Sequence, residues 1–315
     1  MPSPILGLHH VTATVDDAQA DVAFAMNALG LRLVKKTVNF DNHHVYHFYY
    51  GDERGTPGTL WTTFPYKGYG VRLGRHGFGQ VVATSFSVPS ASIDWWTERL
   101  RRSGLEPELI AGRFGGGGLV VTDPSGLAIE LVGSELDSRT PWTGSGVGSD
   151  QAIRGLHGVT LCVRSAGPTV EFATGVLGFR VSGQEGARTR LEIGDAGPGR
   201  TIDVVEDASG LPGLNGLGTV HHVAFAVGSA GEQLQFREEL VDHGRQVTPV
   251  LDRQYFTSIY FREPGGVLFE IATAGPGFLI DEPVDELGQS LKLPSWEERN
   301  RALIEAGLGT VNLKR

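Results

Sequence analysis

The chain has 315 residues, with 27 Lys and Arg against 36 Asp and Glu; the net charge of −9 without a basic stripe argues against nucleic acid or an anionic membrane as partner. Cys162 is the single cysteine, which excludes an intrachain disulfide and any thiolate-rich zinc or iron–sulfur site and fits a reducing, cytoplasmic setting. The opening MPSPILGLHHV lacks the charged and apolar stretches of a secretion signal, no segment approaches the ~18 apolar residues of a membrane span, and the length predicts two domains.

Along the chain one grammar repeats four times, in units of about fifty-five residues. Unit one opens with an alternating strand over 10–15. A helix follows, started by Asp17 and ended by Gly30, and the last strand is led in by Gly58 and reaches Thr62. Unit two repeats this with a strand over 83–88, a helix opened by Ser90 or Ser92 and ended by Gly104, and a last strand from Gly126 to Glu130. A stretch rich in Ser, Gly and Asp follows, and residues 138–154 read as a linker. Unit three has a strand over 158–163, Pro168 in the first turn of its helix, Gly178 at the helix end, and a last strand from Gly199 to Asp203. In unit four the strand over 222–227 precedes the capping box of Ser229 and Glu232, the stop Gly244, and a last strand from Gly266 to Glu270. The tail contains Ser295 and Glu298, a capping box for a helix that Gly307 can end. Each unit is most economically a βαβββ module.

The histidines fall into this pattern at two places. The same tripeptide opens units one and four, His9-His10-Val11 and His221-His222-Val223, and Glu270 closes unit four. Two imidazoles and a carboxylate are the ligand set of non-haem Fe(II) oxygenases, and leave about half of an octahedral metal's positions for substrate and dioxygen. His43, His44, His47, His76, His157 and His243 carry no such pattern and read as ordinary core or surface residues.

Four βαβββ units with a first-strand His and a last-strand Glu resemble the vicinal oxygen chelate superfamily, which includes glyoxalase I, extradiol dioxygenases and bleomycin-resistance proteins. The resemblance is strongest to ring-cleaving dioxygenases of hydroquinones and chlorohydroquinones. It rests on LHHVT (8–12), LGLRLVKKTVNFD (29–41), GTPGTLWTTFP (55–65), VHHVAFAV (220–227) and DEPVDELGQSLKLP (281–294). It implies an α+β fold in which four modules form two domains of paired modules, with curved mixed sheets around a metal cavity. The division expected is an N-terminal domain over 1–137 (modules 7–64 and 76–133), the linker, a C-terminal domain over 155–275 (modules 155–206 and 219–273), and a tail over 276–315.

In such a fold two modules build one site, so position bookkeeping distinguishes the pairings. The first-strand position reads His10, Ala83, Gly158, His222, and the last-strand position Thr62, Glu130, Asp203, Glu270. Facing modules one and four gives His10, His222 and Glu270 with Thr62 as a non-ligand. Sequential pairing gives two poorer sites, and modules two and three hold no histidine at these positions; Glu130 then reads as a relic or a structural carboxylate. Thr12 shares a strand face with His10. The resemblance further implies Tyr260 beside a substrate oxygen, Arg253 against developing negative charge, and His9 and His221 next to the ligands as proton carriers, although simple alternation turns those two to the opposite face. Trp61, Phe64, Tyr255 and Phe256 are candidate pocket walls, with core packing the commoner role for such residues.

The expected cofactor is Fe(II), with Mn(II) compatible with the same ligands; the expected partners are a small aromatic substrate and O2, and a homo-oligomer is compatible with the chain. Two other readings stay open. A glyoxalase-like isomerase would want carboxylates from both facing modules, where this chain has Thr62, and a metal-free drug-sequestering protein would not need the triad. An ordinary catechol dioxygenase would draw its first histidine from module three, where Gly158 stands.

Overall fold

A computed structural model describes residues 3–313. Four βαβββ modules are present. Module one supplies β1 (Ile5–Val15), β2 (Arg32–Asn39), β3 (Asn42–Gly51) and β4 (Leu60–Pro65); module two β5 (Gln80–Val88), β6 (Glu108–Arg113), β7 (Gly116–Thr122) and β8 (Ala128–Gly133). Module three supplies β9 (Gly155–Val163), β10 (Arg180–Glu185), β11 (Arg188–Glu192) and β12 (Thr201–Glu206); module four β13 (Thr219–Val227), β14 (Leu251–Asp252), β15 (Thr257–Arg262) and β16 (Leu268–Thr273). Helices follow the first strands: α1 (Ala18–Val22) running into a π-helical segment over Ala23–Ala28, α2 (Ile93–Arg102), α3 (Ala166–Gly175) and α4 (Ala230–Asp242). None is long and apolar enough to cross a membrane.

Local signals act where the sequence places them. Asp17 caps α1 by accepting from the Ala20 N–H at 2.8 Å, and Ser229 caps α4 by accepting from the Glu232 N–H at 3.2 Å. Gly30 ends the first helix at φ +73°, where a Cβ would also meet Val147 at 2.6 Å. The tail capping box does not form. A 3-10 turn over Glu298–Asn300 precedes α5 (Arg301–Gly307), and the Glu298 carboxylate bonds the Arg301 guanidinium at 2.7 and 2.8 Å instead of capping a helix begun at Ser295. A bidentate ion pair is the stronger partner for that carboxylate.

Tertiary pairing joins distant modules. One eight-stranded sheet runs β14-β15-β16-β13-β1-β4-β3-β2 and the other β10-β11-β12-β9-β5-β8-β7-β6. Module one therefore shares a sheet with module four, and module two with module three, so the sheets do not follow the division at residues 138–154. Within a module the first and last strands are parallel, as in β1 and β4, whereas the two first strands at the sheet centre, β1 and β13, are antiparallel. Residues from both arms of the first sheet, such as His47 on β3 and Tyr260 on β15, line one cavity, so the sheet is curled around it. A single large apolar core, including Trp61, Phe86, Trp96, Phe225 and Phe269, links all four modules.

One buried acid couples this core to pH. Asp21 on α1 is 3 % exposed and accepts from Tyr50 Oη at 2.7 Å and Thr63 Oγ1 at 2.6 Å, while its Oδ1 has no partner among the described residues. Burial pushes its pKa up to about 7, against the weaker pull of the Thr63 and Tyr50 hydrogen bonds. The folded state therefore holds a proton that the unfolded chain releases near pH 4. Stability is full below that and falls as pH rises toward 7, at about 1 kcal/mol per unit. Asp21→Asn should flatten the slope of urea-derived stability between pH 5 and 7; an unchanged slope would assign it to another group.

Candidate metal centre

β1 and β13 lie side by side, and each carries a β-bulge at its double histidine. Leu8 pairs with Phe225 and His10 with Ala224, leaving His9 as the extra residue; Thr12 pairs with His222 and Ala13 with Val220, leaving His221 as the extra residue. A bulge sets two consecutive residues against one partner and breaks alternation there. His9 and His221 thus stay beside their neighbours, contrary to the face that simple alternation assigns. His9 Nδ1 is 2.9 Å from His10 Nδ1, and His221 Nδ1 is 2.8 Å from His222 Nδ1.

The Nε2 atoms of His10 and His222 converge with a carboxylate oxygen. His10 Nε2 lies 3.1 Å from His222 Nε2, and Glu270 Oε2 lies 2.8 Å from His222 Nε2 and 3.4 Å from His10 Nε2. All three side chains are buried. Two cis ligands with bonds of about 2.1 Å stand about 3.0 Å apart around an octahedral ion, so this triangle has the dimensions of a coordination face. Among the described residues Glu270 Oε2 has no hydrogen-bonding partner of normal geometry despite these short distances. Three potential ligand atoms within 4.8 Å of one another fit a cation at a point between them. The other oxygen, Oε1, accepts from the Ser258 hydroxyl, which fixes the carboxylate with Oε2 toward that point.

Electrostatics agree. Burial alone would raise the Glu270 pKa, but His10 and His222 more than offset it and hold it well below the usual range. His9 and His221 are both held neutral, at about 3, first by burial and then by the adjoining His10 or His222. A neutral His9 whose Nε2 donates to the Thr273 carbonyl has a free lone pair on Nδ1. It then accepts from His10 Nδ1–H, which leaves the His10 Nε2 lone pair for a metal. His221 Nδ1 stands likewise against His222 Nδ1.

Around this centre is a cavity of about 410 Å³. Tyr260 and Arg253 line it together. Arg253 Nε donates to Tyr260 Oη at 3.3 Å, and the guanidinium holds exposed Asp41 at 3.0 and 3.2 Å. Burial raises the Tyr260 pKa, with Glu270 adding to the shift, so the phenol keeps its proton. Thr12 Oγ1 lies 2.9 Å from His222 Nε2 and 2.8 Å from Thr62 Oγ1. Phe64 and Phe256 are cavity walls, whereas Trp61 and Tyr255 pack in the core.

Two residues escape the sequence reading. His47, grouped above with the ordinary histidines, is buried, lines the cavity, and has Nε2 3.0 Å from Thr62 Oγ1. Ser258 orients Glu270. One rule finds both: on the third strand of its module, each stands one pleat away from the residue opposite the last-strand position. Tyr49 pairs with Thr62 and Tyr260 with Glu270, and His47 and Ser258 lie two residues before these.

A family model described as the Glyoxalase/Bleomycin resistance protein/Dioxygenase superfamily matches residues 7–131 and 155–271. "Putative ring-cleaving dioxygenase MhqE" of Bacillus subtilis (strain 168) is 43% identical over 298 residues, covering 95% of this chain and 96% of its own. A chlorohydroquinone/hydroquinone 1,2-dioxygenase of Sphingobium indicum is 36% identical over 301 residues, covering 93% and 92%. A crystal structure titled as a "putative dioxygenase" from Bacillus subtilis superposes with a TM-score of 0.95 at 39% identity, over 100% of both chains.

Proposed function

The chain belongs to the Glyoxalase/Bleomycin resistance protein/Dioxygenase superfamily, and we propose that it is a ring-cleaving dioxygenase that uses Fe(II) to insert O2 into a hydroquinone-type ring beside a hydroxyl. The observation that carries this reading is the buried triangle of His10, His222 and Glu270 at the foot of an aromatic-walled cavity, in a chain resembling enzymes named for this reaction along almost its whole length. Mn(II) would satisfy the same donors. Thr62, at the position where an isomerase would want a second carboxylate, is instead hydrogen-bonded to Thr12 and His47.

The reaction adds both oxygen atoms of O2 and breaks the ring bond between the hydroxyl-bearing carbon and its neighbour. When bound, Fe(II) makes a ring hydroxyl easier to deprotonate and provides a one-electron route between an electron-rich ring and O2. His10, His222 and Glu270 would hold the ion beside the cavity. His9 and His221 orient the ligands through their Nδ1 contacts with His10 and His222. Tyr260 accepts from Arg253 and so turns its own O–H toward the cavity, where it can donate to a substrate oxygen. Arg253 steadies negative charge, and Phe64 and Phe256 flank a flat ring.

Metal content after anaerobic purification, paired with oxygen uptake on hydroquinone, chlorohydroquinone and catechol, tests the proposal. Near-stoichiometric iron and hydroquinone-dependent uptake are expected; zinc or nickel with no uptake on any of the three would overturn it. Tyr260→Phe should keep its iron and lose about a hundredfold in kcat, the scale of a positioned proton donor. Unchanged kcat would remove Tyr260 from the mechanism.

A further inference from the structure

The second sheet encloses a cavity of its own, of about 290 Å³. It is built as the first is, with bulges at Val82 and His157 matching those at His9 and His221. At the four ligand positions it has Ala83, Gly158, Glu130 and Asp203. Both carboxylates survive, but guanidiniums have taken the cation's place. Arg113 Nη1 donates to Glu130 Oε1 at 2.7 Å, and Ser85 Oγ donates to the other oxygen at 2.6 Å. Arg190 grips Asp203 with Nε and Nη2 at 2.8 and 2.9 Å, and Arg188 reaches the same carboxylate at 3.1 Å. Arg190 stands opposite Asp203 as Tyr260 stands opposite Glu270.

Arg113 and Arg190 on the lining, with Arg188 behind them on Asp203, balance Glu130, Asp203 and the exposed Glu135. Donors are left over. Among the described residues Arg113 makes a single hydrogen bond, through Nη1, and Arg190 Nη1 makes none. His157, kept neutral by burial and by Arg190 beside it, lines the cavity, and among the described residues its side chain makes no hydrogen bond. The Arg190 guanidinium lies 4.1 Å from the centroid of the Phe114 ring, a flat surface at the cavity edge, and Ile110 and Val132 add apolar wall. Buried ion pairs of this kind add little to stability over well-packed apolar side chains, whereas Arg donors set beside an aromatic face suit a planar carboxylate.

We infer that the second half-barrel is a binding site for small planar organic carboxylates, with Arg113 and Arg190 taking the carboxylate and the apolar wall of Ile110, Val132 and the Phe114 edge taking the flat body. The site is separate from the metal centre and needs no metal. Isothermal titration with benzoate tests it on the full chain. One saturable site is expected in the wild type and in Arg253→Gln, which removes the arginine of the metal-centre cavity. Binding should weaken about tenfold or more when Arg113→Gln is combined with Glu130→Gln, which avoids leaving a buried carboxylate unpaired. Absence of saturable binding to the wild type, retention in the double variant, or loss in Arg253→Gln would each overturn the inference. A crystal structure of the wild type with benzoate decides the case if the double variant does not fold, since a carboxylate placed at the metal centre instead of on Arg113 refutes it.

Discussion

His10→Ala should give a folded protein that no longer retains iron and consumes no oxygen on hydroquinone. His10 supplies one edge of the donor triangle from β1, and its neighbours His222 and Glu270 both come from module four, so the substitution leaves a two-ligand site held by one module. Losing a group that merely supports a ligand costs about 10–100-fold in metal affinity; losing the ligand itself should exceed that. Folding should survive, because β1 is held by backbone pairing to β13 and β4 and by Val11, Ala13 and Val15 in the core. The measurements are metal content, circular dichroism and oxygen uptake. His157→Ala, in the other half-barrel, is the control and should keep its iron. Iron retained at full stoichiometry by His10→Ala would refute the triad; iron lost by both variants would point to general damage.

Lys35→Met should destabilise the protein by about 3–5 kcal/mol, the scale for stranding buried charge. The Lys35 side chain is fully buried on β2, where its ammonium bonds Asp281 Oδ1 at 2.6 Å, the Glu282 carboxylate, and the Phe278 carbonyl at 3.3 Å. Its Nζ is also 5.0 Å from the centroid of the Tyr255 ring, and Tyr255 donates to Asp281 at 3.0 Å. Without the ammonium, Glu282, itself 3 % exposed, would keep a single hydrogen bond among the described residues, from Ser290 Oγ at 3.1 Å. The same cluster anchors the tail to the stretch that carries Arg253 and Phe256 into the metal-centre cavity. Urea unfolding at pH 7 measures the loss, and Lys35→Met combined with Glu282→Gln should recover part of it. A loss under about 1 kcal/mol would show that solvent reaches the cluster and screens it.

Much of this was legible in the residues. The four modules, their helix caps and glycine stops, and the equivalence of His10 with His222 follow from signals that act over a few residues. The segments 29–41 and 281–294 stood out in the sequence, but nothing there said that Lys35 of one would be buried against Asp281 and Glu282 of the other. The roles of His47 and Ser258 depend on cross-strand register, and register is a relation between two strands rather than a property of one.

By itself the sequence determined which residue types stood at each repeated position, and so that only modules one and four could assemble two histidines with a carboxylate. The tertiary structure decided that β1 and β13 pair across more than two hundred residues, that bulges keep His9 and His221 beside the ligands, and that modules two and three enclose a cavity where guanidiniums replace the metal. The reason is one of range. Capping and alternation are set by neighbouring residues, whereas strand pairing and bulge placement follow from what the whole chain can bury at once.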